Sequence, residues 1–439
     1  MFCLFPPANR TFWVIVGPSV GLIIQPVTHL VDDEREGVML RVIVKQARPG
    51  MVLARAVINP RQPDTTLLAS GYALEPHTIA RLHEIGVYEI WINYPGLDFL
   101  DDLYSPRLTQ QQQRMCETLK TSFTGQATRT DAKLPILQYR DVVQELVQSI
   151  LDSAHDMPFM SDLAGVDDYL LRHSADVCFL GVMLGLRLES YLIDQRRKVS
   201  GRHAKDVVNL GIGCMLHDIG ELQMPESQRE SRRAIDDGNT DWHKHAELGY
   251  ATVRGQIEPS AANVVLNHHQ HYDGTGFPKL SAAERPQAGA QIHVFSRIAM
   301  AADVYQHLLR GDGVPMPAVA ALWRIQQAPL RSWFDPIVLA ALLAVVPPFL
   351  PGMVVQLSDR RFAVVAKNHA EAPCYPEVQV LQTPELESPD NQTSDREVID
   401  LSKEPKLQIA AVDGCDVTQF LFGSRRLTPA IATPLKLAV

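Results

Sequence analysis

The segment VDDYLLRHSADVCFLGVMLGLRLES, residues 166–190, contains the clearest fold pattern in the chain. Its apolar residues recur at steps of three and four, which is the spacing of one face of an α-helix. The same periodicity runs through YRDVVQELVQSILDS at 139–153 and through the stretch from Ala290 to Leu309. Successive amphipathic helices must bury their apolar faces against one another. The sequence therefore predicts an all-α domain over residues 139–345.

Both flanks of this helical domain have a different pattern. Residues 39–98 combine short β-rich runs such as YEIWIN with a periodic helical segment over 76–85, which predicts a small α+β module. Residues 99–138 are polar and rich in glutamine, and we expect a connector helix and loop outside the core. Alternating apolar residues between turn residues predict a small β module over 346–412, followed by a tail at 413–439. The predicted fold class is mainly α, with a central all-α domain between two small modules.

The composition argues against several classes of protein. Of 439 residues, 46% are hydrophobic and 21% charged, so the chain can bury a sizeable core and does not resemble a disordered one. Its 41 basic and 50 acidic side chains give a formal net charge of -9, which argues against nucleic acid as a partner. The six cysteines include no CxxC pair. This spacing favours a reduced, cytoplasmic protein without a disulfide framework.

The apolar stretch Phe12–Val27 near the start is interrupted by glycine and proline. It is shorter than the ~20 continuous apolar residues that a membrane-spanning helix needs. It also lacks the basic start and the cleavage site of a secretory signal. We therefore expect no membrane partner, with a weak membrane anchor as the alternative. Residues 1–38 are expected to be an extension outside the native fold, with Met39 as the true start.

The helical region also holds an unusual series of histidines and aspartates. In chain order they are His173, His217, Asp218, His245, His268, His269 and Asp303. Neutral imidazoles and carboxylates are good ligands of first-row divalent metals, and one carboxylate can bridge two ions. Adjacent helical residues point about 100° apart, so the pairs His217–Asp218 and His268–His269 can each serve two neighbouring ions. Two such ions can activate a bridging hydroxide and stabilise the attacking and leaving oxygens in a displacement at phosphate.

Most of these residues, taken alone, also have an ordinary structural explanation. His173 by itself is typical of a core or capping position. The same explanation applies to five other histidines of the region, which are His203, His243, His271, His293 and His307. Asp303 is more informative because it stands in the apolar stretch IAMAADVY, where an unpaired buried carboxylate is costly and favours a nearby cation. The ordered series as a whole therefore indicates a site.

These motifs resemble those of the HD-GYP family, a branch of the HD phosphohydrolases. The motifs are HDIG at 217–220, the H-x-x-x-G of 245–249, HHQHYDGTGFP at 268–278 and RIAMAADV at 297–304. The resemblance implies hydrolysis of cyclic di-GMP to the linear dinucleotide or GMP at a bi- or trinuclear iron or manganese centre. It also implies that the seven residues of the series are the metal ligands. Asp218 would then be the catalytic, bridging carboxylate.

Two positions refine this expectation. The GYP tripeptide is Gly276-Phe277-Pro278 here, which we expect to bind substrate without the phenol hydroxyl. The loss of that one hydrogen bond is a modest change, worth ~0.5–1.5 kcal/mol. Trinuclear members have a glutamate four residues before the first histidine, whereas this chain has Tyr169. The resemblance therefore implies two divalent ions.

Two further departures affect the phosphate-binding positions. The family has a lysine after HDIG that contacts a substrate phosphate, and this chain has Glu221. A pair of unit charges about 4 Å apart is worth ~4 kcal/mol at an effective dielectric of about 20, so reversing the sign could cost several kcal/mol. Glu221 either turns into solvent or, three residues after Asp218, lies on the ligand face with a catalytic role at a metal. The family's basic stretch is reduced to Arg310, which we expect to bind substrate.

Together these observations predict a cytoplasmic bacterial signalling protein whose central domain is a cyclic di-GMP phosphodiesterase with two iron or manganese ions. The altered phosphate-binding positions leave two alternatives open. One is a regulatory module that binds the nucleotide or a protein without turnover, and the other is a phosphohydrolase of another nucleotide. Cyclic di-GMP is the expected ligand. Other signalling proteins and a second copy of the chain are further candidate partners.

Overall fold

The computed structural model divides into two compact units, Met1–Asp101 and Asp102–Val439. The residues that the structure describes are 39–44, 47–59, 62–85, 87, 89–94, 97, 106–128, 133–152, 169–225, 228, 241–279, 286–310, 316–381 and 397–423. Residues 1–38, which the sequence predicts to be an extension, lie outside this set.

The first unit combines a small sheet, a hairpin and one described helix. Its elements are β1 (Met39–Ile43), β2 (Val52–Leu53), β3 (Val57–Asn59), β4 (Gln62–Leu68), α1 (Pro76–Ile85) and β5 (Glu89–Asn93). Antiparallel pairing gives a sheet in the order β1-β5-β2 and a separate β3–β4 hairpin. Leu40, Ile90 and Ile92 are buried on the sheet, and Leu82 is buried on α1. The helix over 76–85 and the strand in YEIWIN are confirmed.

The second unit is mostly helical in the part described. Its helices are α2 (Pro106–Thr128), α3 (Ile136–Leu151), α4 (Tyr169–Arg187), α5 (Glu189–Gln195), α6 (Gly201–Ala204), α7 (Val208–Met215), α8 (Lys244–Val253), α9 (Pro259–Asn267), α10 (Val294–Arg310), α11 (Ala318–Ile325), α12 (Leu330–Trp333) and α13 (Pro336–Val345). A 3-10 turn over Ile219–Gln223 follows α7. Helix α4 packs against both α7 and α10. The mainly α fold class is confirmed.

Helix α4 lies at the centre of the hydrophobic core. Between Leu170 and Gly185 every residue except Arg172 is buried, so the helix is enclosed on all sides. It is long and apolar enough to cross a membrane, but 83% of that apolar window is buried inside the unit. Packing against its neighbours accounts for this composition, since a helix that is apolar all round belongs in a core.

The residues expected to form a connector contribute to this core. Leu108, Met115, Leu119 and Phe123 of α2 are buried in the same cluster as the apolar residues of α4. The expectation of a helix here is confirmed, but the expectation that it lies outside the core is wrong. The abundant glutamines of α2 conceal an apolar stripe with steps of seven, four and four residues, which suffices to bury one helix face.

The described residues after α13 form a six-stranded antiparallel sheet. Its strands are β6 (Val354–Leu357), β7 (Phe362–Lys367), β8 (Glu377–Val380), β9 (Val398–Asp400), β10 (Ile409–Val412) and β11 (Cys415–Asp416), in the order β11-β10-β6-β7-β8-β9. Asp413 and Gly414, both with positive φ, form the two-residue turn between β10 and β11. The β module is confirmed, and it continues through β11 into residues that the sequence assigns to the tail.

Candidate metal centre

Five elements bring the predicted ligands together. His173 lies in the second turn of α4, Asp303 on α10, and His245 in the first turn of α8. The pair His217–Asp218 lies between the end of α7 and the following 3-10 turn, and the pair His268–His269 follows α9. All seven residues of the series are buried. Residues separated by up to 130 positions in the sequence thus meet inside the helical unit.

The first of two groups, called here the first cluster, consists of His173, His217 and Asp303. The Nε2 atom of His173 lies 3.0 Å from Oδ1 of Asp303 and 3.2 Å from Nε2 of His217. The Nε2 atom of His217 is 3.6 Å from the same aspartate oxygen. Three donor atoms therefore converge on one point, as the ligands of a metal ion do.

The second cluster consists of Asp218, His245, His268 and His269. The Nε2 atoms of His245 and His268 lie 3.2 Å apart, at 3.4 Å and 3.5 Å from Oδ1 of Asp218. His269 lies between the clusters, with its Nδ1 atom 3.9 Å from Oδ2 of Asp303. Within each cluster the potential ligand atoms all lie within 4.8 Å of one another.

Asp218 connects the two clusters. Its Oδ1 atom faces His245 and His268, while its Oδ2 atom lies 3.2 Å from Nε2 of His217 and 3.7 Å from Nε2 of His173. Both oxygens are buried, and among the described residues neither has a hydrogen-bond partner. A buried carboxylate without hydrogen bonds is strongly unfavourable unless a cation compensates it. The residues present around Asp218 therefore fit the binding of divalent metal.

Backbone carbonyls orient three of the imidazoles. The Nδ1 atom of His217 donates to the carbonyl of Cys214 at 2.7 Å, that of His245 to Trp242 at 2.6 Å, and that of His268 to Val265 at 3.0 Å. Because a carbonyl can only accept, Nδ1 must carry the proton in each ring. In the neutral form of each ring the lone pair is then on Nε2, which is the atom that faces the cluster.

Burial keeps several of these imidazoles neutral. It lowers the pKa of His173 to about 3 and the pKa of His245 to about 3. Burial also lowers the pKa of His269 well below its usual value. Neutral imidazole is the form that binds a metal ion. These three side chains are therefore in the ligand state at neutral pH.

The two carboxylates have the opposite effect on His217. Burial opposes its protonation, but Asp218 and Asp303 outweigh burial and raise the pKa of His217 well above its usual value. Burial would raise the pKa of Asp218 as well, but the facing His217 holds it well below the usual range. Without metal, His217 of the first cluster and Asp218 of the second thus form an ion pair at neutral pH, which a bound cation would replace.

A close contact between two backbones sets the spacing of the ligands. A Cβ atom at Gly220 would collide with the carbonyl oxygen of His245 and the amide nitrogen of Gly249. The 3-10 turn after Asp218 therefore packs directly on α8. The glycines of the HDIG and H-x-x-x-G motifs allow this approach, because any larger side chain at 220 would push the two segments apart.

Two residues beside the clusters were not singled out by the sequence reasoning. His307 was given an ordinary core explanation, yet its Nδ1 atom lies 2.8 Å from Oδ1 of Asp303 and its ring is 4.4 Å from that of His173. Its spacing of four residues from Asp303 on one helix could have revealed this contact. Trp242, whose ring centroid is 4.4 Å from that of His245, has no comparable pattern in the sequence.

Glu221 is not directed into solvent, and that alternative is wrong. The residue is fully buried, and its Oε1 atom accepts a hydrogen bond of 2.8 Å from Nε1 of Trp242. The two clusters formed by the described residues do not include it. The structure thus places this carboxylate beside an indole, and a catalytic role of Glu221 at a metal stays a prediction.

The predicted substrate-binding residues are only partly described. Phe277 is buried, with its ring stacked on His269 at 4.5 Å and on His243 at 3.7 Å. The carbonyl of Pro278 accepts a hydrogen bond from Gln270, and a Cβ atom at Gly276 would collide with the backbone after His269. The side chain of Arg310 lies outside the described set. A role of these four residues in substrate binding stays a prediction.

Two family models match the second unit. Residues 196–338 match the HD domain, and residues 354–417 match the KOW domain associated with the HD domain. The match to the HD domain lies within the central helical domain. This confirms the resemblance drawn from the motifs. HD domains bind divalent metals, in agreement with the two buried clusters.

Two curated proteins are similar to this chain over part or most of its length. The cyclic di-GMP phosphodiesterase PA4108 of Pseudomonas aeruginosa is 25% identical over 338 residues, which cover 71% of this chain and 77% of the relative. The cyclic di-GMP phosphodiesterase response regulator RpfG of Xanthomonas campestris pv. campestris is 28% identical over 152 residues, 33% of this chain and 38% of the relative. Among solved structures, Bd1817, an HDG"Y"P protein from Bdellovibrio bacteriovorus, matches with a TM-score of 0.40 and 14% identity, covering 70% of this chain and 98% of that one.

Proposed function

We propose that the HD domain is a metal-dependent phosphodiesterase that hydrolyses cyclic di-GMP to the linear dinucleotide or GMP. The observation that carries this proposal is the position of Asp218, whose two oxygens face two separate groups of imidazoles. Divalent ions held there would activate water and stabilise the charge that develops on the phosphate oxygens. The names of the two curated relatives support the choice of substrate.

The donor set supports iron or manganese as the ions. Both clusters combine imidazoles with carboxylate oxygens, and neither contains a thiolate among its described members. Such mixed nitrogen and oxygen ligation suits iron(II) and manganese(II), and it disfavours metals that prefer sulfur. Tyr169 stacks on His173 at the position where trinuclear relatives have a glutamate. We therefore propose two ions, with Asp218 shared between them.

The remaining residues of the site hold these ligands and exclude water. Every ligand is buried, so the electrostatic interaction with a phosphodiester would be stronger here than at an exposed surface. The carbonyls of Cys214, Trp242 and Val265 fix the orientation of three imidazoles before any substrate binds. Such preorganisation is the main contribution a protein makes to catalysis at metal ions.

A second candidate function is favoured by Glu221. This carboxylate is buried next to the second cluster, where the family has a cationic lysine for a substrate phosphate. A site altered in this way can bind the nucleotide at the metal ions without hydrolysing it at a useful rate. The second candidate is therefore a regulatory domain that binds cyclic di-GMP without turnover.

A turnover assay tests both candidates. The full chain, loaded without oxygen with iron(II) or manganese(II), is incubated with cyclic di-GMP, and the products are separated chromatographically. Asp218→Ala is the control, because it removes the carboxylate between the clusters. Linear dinucleotide or GMP that forms with the parent and not with the control supports the phosphodiesterase. Metal occupancy and nucleotide binding without product would support the regulatory domain, and failure to bind metal would contradict both.

A further inference from the structure

Glu221 and Trp242 form a buried pair next to the second cluster. Glu221 is 0% exposed and Trp242 is 4% exposed, and the indole Nε1–H donates to Oε1 of the carboxylate at 2.8 Å. A buried carboxylate is retained only where hydrogen bonds or cations compensate its lost hydration. The indole N–H supplies one such bond, so each residue restrains the other.

Trp242 contacts His245 in two ways. Its carbonyl oxygen accepts the Nδ1–H of His245 at 2.6 Å, and its ring lies against the imidazole with centroids 4.4 Å apart and an interplanar angle of 31°. The same ring meets the edge of His269 at a centroid distance of 4.9 Å. The position of one indole therefore determines how two of the four residues of the second cluster are held.

We infer that Glu221 is a positioning residue, which acts through Trp242 on the metal ligand His245. The carboxylate fixes the indole, the indole fixes the turn that precedes α8, and the carbonyl of that turn orients the imidazole. Lysine, the residue of the family at this position, has no acceptor for an indole N–H. Glu221 would thus have exchanged a contact with substrate for support of a ligand. The inference rests on the metal centre of the proposed function.

The inference predicts an effect on one cluster only. The first cluster is held by the carbonyl of Cys214 and by His307, neither of which depends on Trp242. Removal of the hydrogen bond between Glu221 and Trp242 is therefore expected to lower the metal affinity of the second cluster and to leave that of the first unchanged. Loss of an outer hydrogen-bond partner of a ligand typically lowers metal affinity about 10- to 100-fold.

The test is a calorimetric titration of the metal-free full chain with manganese(II). Glu221→Leu removes the acceptor, Trp242→Phe removes the donor but keeps a ring, and Glu221→Gln keeps an acceptor oxygen without the charge. Glu247→Gln, an exposed carboxylate on α8, is the matched control. Circular dichroism establishes that each variant is folded. If Glu221→Leu does not fold, Trp242→Phe and Glu221→Gln decide the question.

We expect Glu221→Leu and Trp242→Phe each to lower the affinity for one of two ions at least about tenfold. The affinity for the other ion should stay within about twofold of the parent value. Glu221→Gln and Glu247→Gln should bind both ions as the parent does. The double variant Glu221→Leu, Trp242→Phe should lose no more metal affinity than the single variant that binds more weakly. Both changes break the same hydrogen bond, so their effects do not add.

Three results would overturn the inference. They are unchanged binding in Glu221→Leu, equal weakening of both ions, and a Glu221→Gln variant as weak as Glu221→Leu. If the parent itself binds fewer than two ions, the proposed centre fails, and this result differs from all three. If the parent binds two ions and hydrolyses cyclic di-GMP, and Glu221→Leu binds both ions equally well, only the positioning role is refuted.

Discussion

The two clusters have similar ligands but different supports. In the first cluster, Asp303 is paired with the imidazole of His307 at 2.8 Å, so an ionisable neighbour holds the carboxylate. In the second, the rings of Trp242 and Phe277 lie against His245 and His269. The first cluster therefore depends mainly on charge and the second on packing. Two ions bound side by side need not respond alike to pH or to substitution.

Replacement of the shared carboxylate is expected to have the largest effect, because it removes the one residue that serves both clusters. Asp218→Ala should lose both ions, whereas Asp303→Ala should lose the ion of the first cluster. The metal-to-protein ratio after gel filtration measures this difference. The exposed carboxylate variant Asp416→Ala should keep the parent ratio. An Asp218→Ala protein that retains a full complement of metal would contradict the bridging assignment.

Substitution of one imidazole in each cluster is the next largest change. His217→Ala should weaken only the ion of the first cluster, and His268→Ala only that of the second. Each should weaken its ion by more than the ~10- to 100-fold typical of an outer partner, because a ligand itself is removed. Manganese titrations of the two single variants give the comparison. Loss of both ions from either variant would show that the clusters bind as one unit.

The clusters should also differ in the protons that they release. His217 is a doubly protonated, cationic imidazole at neutral pH because two carboxylates raise its pKa. His245 is neutral, because burial lowers its pKa to about 3. Only the deprotonated ring binds metal, so the affinity of the first cluster should rise with pH up to the pKa of His217. The affinity of the second cluster should change less over the same range.

This difference can be measured by titrating His268→Ala, which retains the first cluster, and His217→Ala, which retains the second. Calorimetry in two buffers of different ionisation enthalpy gives the number of protons released. About one proton is expected from the first cluster at pH 7 and fewer from the second. Equal release from both variants would contradict the ion pair between His217 and Asp218.

The smallest expected effect concerns the ring of Phe277. Phe277→Leu removes the stack on His269, and an aromatic pair of this kind is worth ~0.5–1.5 kcal/mol. The ion of the second cluster should therefore bind about 2- to 10-fold more weakly. Phe277→Tyr keeps the ring and should bind metal as the parent does. A Leu variant with normal metal binding but impaired nucleotide binding would show that Phe277 contacts substrate instead.

The sequence predicted the clustered histidines and aspartates better than the residues that support them. His217–Asp218 and His268–His269 are visible because adjacent pairs and their motifs lie within short segments, and the structure brings them together. Trp242 and Glu221 are 21 residues apart and meet only through the packing of a 3-10 turn on α8, which periodicity does not reveal. His307 differs from these supports, because its spacing of four residues from Asp303 on one helix predicts their contact.

The same distinction holds for the fold. Strong apolar periodicity predicted the core helix α4, and alternation predicted the terminal sheet. Helix α2 was placed outside the core because its average composition is polar, although burial depends on one stripe of residues and not on the average. Beyond residue 412 the sheet continues through the turn at Asp413–Gly414 into β11. This strand is only two residues long, so it gives no alternating pattern in the sequence.

The contact at Gly220 has a consequence for the choice of ion. Since two main chains touch there, the separation of the backbone segments that carry Asp218 and His245 is set by direct contact. A coordination shell of fixed diameter discriminates by ionic radius. Calcium, with bonds of about 2.3–2.6 Å and six to eight oxygen ligands, requires a wider and more compliant shell. We therefore expect the glycine at 220, by fixing the backbone spacing, to favour ions smaller than calcium.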